Sequence, residues 1–359
     1  MSESVQTHSE YRSAPERRER LFYLDAVRAF AAVLIVITHF NNPFLVDRPV
    51  FANSPFGIYI GSLGVSLFLI ISGAALMYTQ GDREKLNLVS FYRKRAKTIY
   101  PMFWIAFVVA NLFHFWRSGW LFGDTPKWRI LLSLFAVDGY VANMHVATFY
   151  TLGEWFLGFI LIFYALFPLL RKGVKEYPVL TAGIIAILYV GTMLSGRTLF
   201  QLPQDLLFTV RLPEIAFGMY FVRYIKKVPN VVGAGAVVLL ALQQWREFLT
   251  GNLAVTIVGI AFFLAMVWVC QYIGTPHAVL RMPTNWLSKY SYAIFLTHHV
   301  IIVDIFSYFA RYHEWSQLQI YGLFLVDCIL IGIASWVLFY VERYTVRTFS
   351  ALGKKIRRR

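Results

Sequence analysis

AVRAFAAVLIVITHF occupies residues 26–40. With its flanks, a run this apolar is long enough to cross hydrocarbon as a helix, yet it carries Arg28 near one end and His39 near the other. On an α-helix eleven residues climb about 16 Å and leave the two side chains about 20° apart. They therefore share a face at different depths and cannot touch. Each has an ordinary explanation. Arg28 can snorkel to the near surface with Asp25 as its i−3 partner, and His39 can be a neutral, hydrogen-bonded histidine. The shared face favours the other reading, an elongated ligand lying along the helix with its anionic part at Arg28 and its reacting group at His39, because ionisable side chains inside spans are costly and mark function.

The rest of the chain has the same character. Of its 359 residues 58% are apolar and only 15% charged, with 32 Phe, 21 Tyr and 10 Trp. This composition excludes an ordinary soluble domain and fits a multi-pass membrane protein with aromatic belts. The net charge of +15 is not the signature of a nucleic-acid binder, because the basic residues cluster in short segments between apolar runs, as the positive-inside rule requires. Cys270 and Cys328 lie within apolar runs without metal-ligand spacing, and no metal site is expected.

Apolar stretches at roughly 22–44, 58–79, 99–117, 149–170, 178–196, 205–223, 230–246, 252–274, 290–311 and 318–341 predict an all-α bundle of about ten transmembrane helices. The weaker stretch 129–149, with Asp138, Gly139, Asn143 and His145, is expected to be a short or re-entrant element, since a full span there would invert the later loops and break the charge bias. Both termini are then cytoplasmic, and the dense basic segments 16–20, 82–97, 171–177, 223–230, 275–290 and 353–359 all fall on one side. The expected organisation is a basic tail over 1–20, one membrane domain over 21–346 and a basic tail over 347–359, the last resting on anionic lipid. The N-terminal run reads as a retained first helix, not a cleaved leader.

Other ionisable residues are candidates. Arg211 and Glu214 stand i,i+3 in RLPEIAFG, as a packing ion pair or as ligand contacts. Glu154 opens a span beside Trp155, and His298 and His299 lie two turns into theirs. Arg93, Lys94, Arg95 and Lys97 either set topology or meet a phosphate-rich cytosolic ligand.

Six stretches in order resemble the acyltransferase-3 family of integral membrane acyltransferases. YLDAVRAFAAVLIVITH resembles its Leu-Asp-x-x-Arg opening and Arg-x10-His signature through Arg28 and His39, and GVSLFLIISGAALMY its Ser-Gly segment through Ser72 and Gly73. FYRKRAKTIYPMFW, EWFLGFILIFYALFPLL with Trp155, RLPEIAFGMYF, and LSKYSYAIFLTH with His298 are similar to its later motifs. The resemblance implies transfer of an acyl group, commonly acetyl, from cytoplasmic acyl-CoA to a hydroxyl of a cell-surface or exported carbohydrate, free or lipid-linked, at the bacterial plasma membrane.

On that reading His39 is the catalytic base and Arg28 grips the donor, helped by Arg93, Arg95 and Lys97. His298, or backbone N–H groups near Ser72 and Gly73, would face the developing oxyanion. Arg211, Glu214, Glu154 and Trp155 are further site candidates. The alternative is a transporter of a glycan or lipid-linked substrate, which ten spans and buried charges also suit; no repeat symmetry or broken-helix pair supports it.

Overall fold

The computed structural model describes residues 19–119, 125–149, 152, 155–196, 200–225, 227–273, 277–309 and 311–356. Glu154 lies outside these residues, as do Arg197 and most of the N-terminal tail. The described residues contain no β-strand. Twelve α-helices follow one another: α1 Phe22–Asn41, α2 Ile60–Gln80, α3 Leu88–Ser118, α4 Ile130–Leu134, α5 Asp138–Ala142, α6 Trp155–Glu176, α7 Pro178–Ser195, α8 Phe208–Tyr224, α9 Asn230–Arg246, α10 Gly251–Ile273, α11 Ala278–Tyr308 and α12 Gln317–Ile356.

Eight of these, α1, α2, α3, α6, α7, α10, α11 and α12, are long and apolar enough to cross a membrane. The other two expected spans form as helices α8 and α9 of 17 residues each, about 26 Å long at the usual rise. The 129–149 stretch is short, as expected: two single-turn helices, α4 and α5, joined around the buried Asp138, which accepts a hydrogen bond from Ser133 Oγ at 2.9 Å. Burial pushes the Asp138 carboxyl above the ordinary carboxylate range.

The helices overrun the expected boundaries at their basic ends. α3 begins at Leu88, with Asn87 Oδ1 accepting from Ser90 N at 2.8 Å as a helix cap. α11 begins at Ala278. Segments read as loops from charge density are helix instead. At 31 residues each, α3 and α11 run about 46 Å, longer than the roughly 30 Å hydrocarbon layer, so their charged turns project past it. α12 likewise continues through the expected tail boundary to Ile356.

α2 is the buried axis, with α1, α8 and α10 packed around it. Its glycines permit this. A Cβ on Gly73 would overlap the Ile215 carbonyl of α8, and one on Gly218 would overlap the Ile70 carbonyl of α2. The two backbones meet through a reciprocal pair of small residues, as membrane helices do where close approach replaces the hydrophobic drive. α7 and α12 are peripheral and present bare apolar side chains such as Val179, Ile187, Leu194 and Leu325, a face suited to lipid.

α1 and α11 run parallel. Near the start of α1, Asp25 Oδ1 accepts from Ser288 Oγ at 2.5 Å and Asp25 Oδ2 from Arg20 Nε. Near its end, Phe40 and Phe44 pack on Phe306 with centroids 5.0 and 4.4 Å away. This seam fixes which residues of α11 face Arg28 and which face His39. Arg171 of α6, itself buried, closes the C-terminal end of α2: its Nε donates to Gln80 O at 2.9 Å and its guanidinium also reaches Arg83 O. A cation there satisfies carbonyls that the helix leaves unpaired.

Candidate active site

Helix α1 is continuous from Phe22 to Asn41, so Arg28 and His39 share a face as their spacing requires, and each lines a cavity. The first, about 410 Å³, lies at the Arg28 end and is lined by side chains of α1, α2, α3, α6 and α11, including Arg28, Ser72, Arg95, Tyr164 and Tyr292. The second, about 230 Å³, lies at the His39 end and is lined by His39, Tyr59, Trp155, Asp205 and Arg211 among others. Phe68, Phe156 and Phe295 belong to the walls of both.

In the first cavity Arg28 Nη1 stands 3.6 Å from Asp25 Oδ1. The expected i−3 partner is real, but the guanidinium faces the cavity as well. Arg95 places its guanidinium carbon 5.8 Å from the Tyr164 ring centre and 6.0 Å from that of Phe91. Its Nε is buried without a hydrogen-bond acceptor in the protein. Burying such a donor unpaired is costly, and two cations with an unused donor form a wall that fits an anionic group.

Other expected contributors are placed elsewhere. Arg93 and Lys97 are exposed and absent from the cavity wall. On α3 they fall on different sides from Arg95, two residues being about 200° on a helix. Ser72 lines the cavity, but its Oγ donates to Phe68 O at 2.7 Å. Gly73 is spent on the crossing with α8. Both sit mid-helix, where backbone N–H groups are committed to the i−4 carbonyls, so the expected backbone oxyanion site near Ser72 and Gly73 is not formed.

Behind the second cavity His39 meets two histidine rings from α11, neither of them in the cavity wall: His298 at 5.0 Å between centroids and His299 at 5.3 Å. His298 is fully buried, and its Nδ1 lies 2.9 Å from Ile294 O. A carbonyl only accepts, so that nitrogen carries a proton and Nε2 is the other face of the ring. Among the described residues no three His, Cys, Asp or Glu side chains converge as metal ligands. Arg211 and Glu214 are both buried and paired at 3.2 Å, and Arg211 Nε also donates to Asp205 O at 2.8 Å. Arg211 reaches the cavity wall; Glu214 is not part of it and is held in the ion pair with Arg211. Trp155, at the start of α6, lines the cavity and packs edge-on to Phe156 and Phe159.

Asp205 also lines this cavity, without a motif in the sequence to mark it. It lies in the single turn Gln204–Leu206 before α8, and its one sequence signal is an acid at the edge of an apolar run.

The family profile described as an acyltransferase domain, Acyl_transf_3, matches residues 21–341. The chain belongs to the acyltransferase-3 family. Among curated relatives of this acyltransferase-3 protein, Acyltransferase MdmB of Streptomyces mycarofaciens is 23% identical over 313 residues, 80% of each chain. O-acetyltransferase OatA of Staphylococcus aureus is 22% identical over 375 residues, covering 92% of this chain and 59% of that relative. Exopolysaccharide production protein ExoZ of Rhizobium meliloti is 29% identical over 143 residues, 38% of this chain and 43% of that one. No solved structure gave a significant match. Like its family, the chain is a multi-pass membrane acyltransferase, and an acyltransferase requires an acyl donor.

Proposed function

We propose that this acyltransferase moves an acyl group, acetyl in the simplest case, from cytoplasmic acyl-CoA to a hydroxyl of a cell-surface or exported carbohydrate, free or lipid-linked, at a bacterial plasma membrane. The observation that carries the reading is the pair of abutting cavities: one walled by the cations Arg28 and Arg95, the other by His39 and an aromatic and polar set suited to a sugar. The names of two relatives, an O-acetyltransferase and an exopolysaccharide production protein, support the acceptor class. The basic segments support a cytoplasmic placement of the Arg28 end, with ten spans and both termini on that side.

Donor binding falls to Arg28 and Arg95, whose guanidinium groups pair with phosphate or other anionic oxygens. His39 takes the proton of the acceptor hydroxyl as its oxygen bonds to the acyl carbon; the carbon–sulfur bond breaks, and the proton is passed on to the departing thiolate. The role calls for a neutral imidazole, whose unprotonated ring nitrogen accepts the proton. The His298 and His299 rings fix its orientation, and Arg211 supplies a nearby positive charge for the developing oxyanion. Trp155 offers an aromatic face and Asp205 an acceptor for sugar hydroxyls.

The deciding experiment uses the purified full chain in lipid nanodiscs and inside-out membrane vesicles that contain it. CoA should raise its thermal stability, and label from [14C]acetyl-CoA should pass to vesicle carbohydrate. Glycan flux in proteoliposomes without any acyl-CoA would assign the chain to transport instead. Mass spectrometry of surface polysaccharide from cells with and without the gene identifies the acylated position.

A further inference from the structure

Among the described residues, Phe68 of α2, Phe156 of α6 and Phe295 of α11 are the only side chains common to the walls of both cavities. They come from three helices and touch in series. The Phe68 and Phe156 ring centres are 6.0 Å apart, and those of Phe156 and Phe295 5.9 Å. Each ring is partly accessible, in contrast to the fully buried Phe159, Phe163 and Phe167 one or more turns along α6. These rings form an apolar neck between the chamber of Arg28 and the chamber of His39.

Resting on the donor and base assignments above, we infer that this neck selects the acyl group by size. Arg28 and His39 are separated by about 16 Å of helix, so a donor gripped by its anionic part must present its acyl end to the imidazole through the rings. The acyl group enters first and lies among them. The chamber beyond holds only about 230 Å³ and must also take the acceptor hydroxyl. Three aromatic faces in contact leave room for a short acyl group, and each added methylene must displace a ring. Apolar pockets discriminate by about ten- to two-hundredfold per methylene, and widening this one admits longer chains.

The test uses inside-out vesicles containing the full chain and its native acceptor, supplied in turn with labelled acetyl-, propionyl- and butyryl-CoA. Phe156→Ala, and the milder Phe295→Leu should the alanine variant not fold, are expected to raise the butyryl-to-acetyl transfer ratio at least tenfold. Phe156→Trp is expected to lower the propionyl-to-acetyl ratio. Unchanged ratios in variants that still transfer acetyl overturn the neck as the selector and leave the proposed function standing. Absence of transfer from all three thioesters by the wild-type chain overturns the proposed function, and the neck inference with it.

Discussion

The imidazoles of His39 and His298 face each other across the seam between α1 and α11, with ring centres 5.0 Å apart and planes inclined by 63°. Eleven residues before His39 on the same helix, Arg28 opens into a different cavity. One helix therefore supplies a cation to one chamber and an imidazole to the next, and the consequences can be measured.

The histidine pair is expected to act as a unit. His39→Ala should lower acyl transfer by about 10²–10⁴, the usual weight of a general base, with CoA-induced thermal stabilisation retained. His298→Ala should lower it less. The double variant should be no worse than His39→Ala alone, because groups acting together are non-additive. Transfer rates and CoA melting shifts for the three proteins check this.

The cations should separate by position. Arg28→Ala and Arg95→Ala are each expected to raise the apparent KM for the acyl donor by about tenfold or more, since charge-assisted hydrogen bonds contribute roughly 1.5–3 kcal/mol. Arg93→Ala and Lys97→Ala, exposed and off the cavity wall, should stay within about twofold, as screened surface charges do. Donor titrations of the four variants distinguish a phosphate grip from topology-setting charge.

At the α2–α8 crossing the expected effect is on stability. Gly73→Val or Gly218→Val drives a side chain into an opposing backbone carbonyl, and overpacking of this kind costs about 1–3 kcal/mol or more. Gly183→Ala, where no atom lies within 4 Å, should be neutral or slightly stabilising, with a helix gain of roughly 0.5–1 kcal/mol. Thermal unfolding in detergent reads the contrast.

Asp138 gives a pH dependence. Its carboxyl is pushed above the ordinary value of 3.8, chiefly by burial. The folded chain therefore holds that proton more tightly than the unfolded chain. Its contribution to stability is complete below the unfolded value and is lost as pH rises through the raised folded value. Asp138→Asn, which can still accept from Ser133, should melt higher than wild type at pH 7, with the gap closing as pH falls toward the unfolded value. Melting curves across that range test the sign.

Much of this architecture is legible in the sequence because each span carries its own hydrophobic length; the ten expected stretches are helical, and eight of them are long and apolar enough to cross a membrane. The Arg28–His39 relation was legible too, since helical periodicity fixes a shared face without knowledge of any neighbour. Charge density is misleading at 88–97 and 278–289, where it suggests loop; a helix that outruns the hydrocarbon keeps its geometry in water. The Ser72-Gly73 motif was visible, but its role was not. Gly73 answers to the Ile215 carbonyl, 142 positions away in the chain, and no local pattern encodes that. Asp205 and the three phenylalanines were invisible for the same reason. A phenylalanine in an apolar run is ordinary until the packing of α2, α6 and α11 shows which ones line a cavity.

A protein hollowed from both ends risks draining the ion gradients of its membrane. Among the described residues the two hollows share only phenylalanine side chains, with no titratable group. A narrow apolar passage sheds water and resists bare ions. If the chain takes reagents from opposite sides, as proposed, it would remain an electrical insulator.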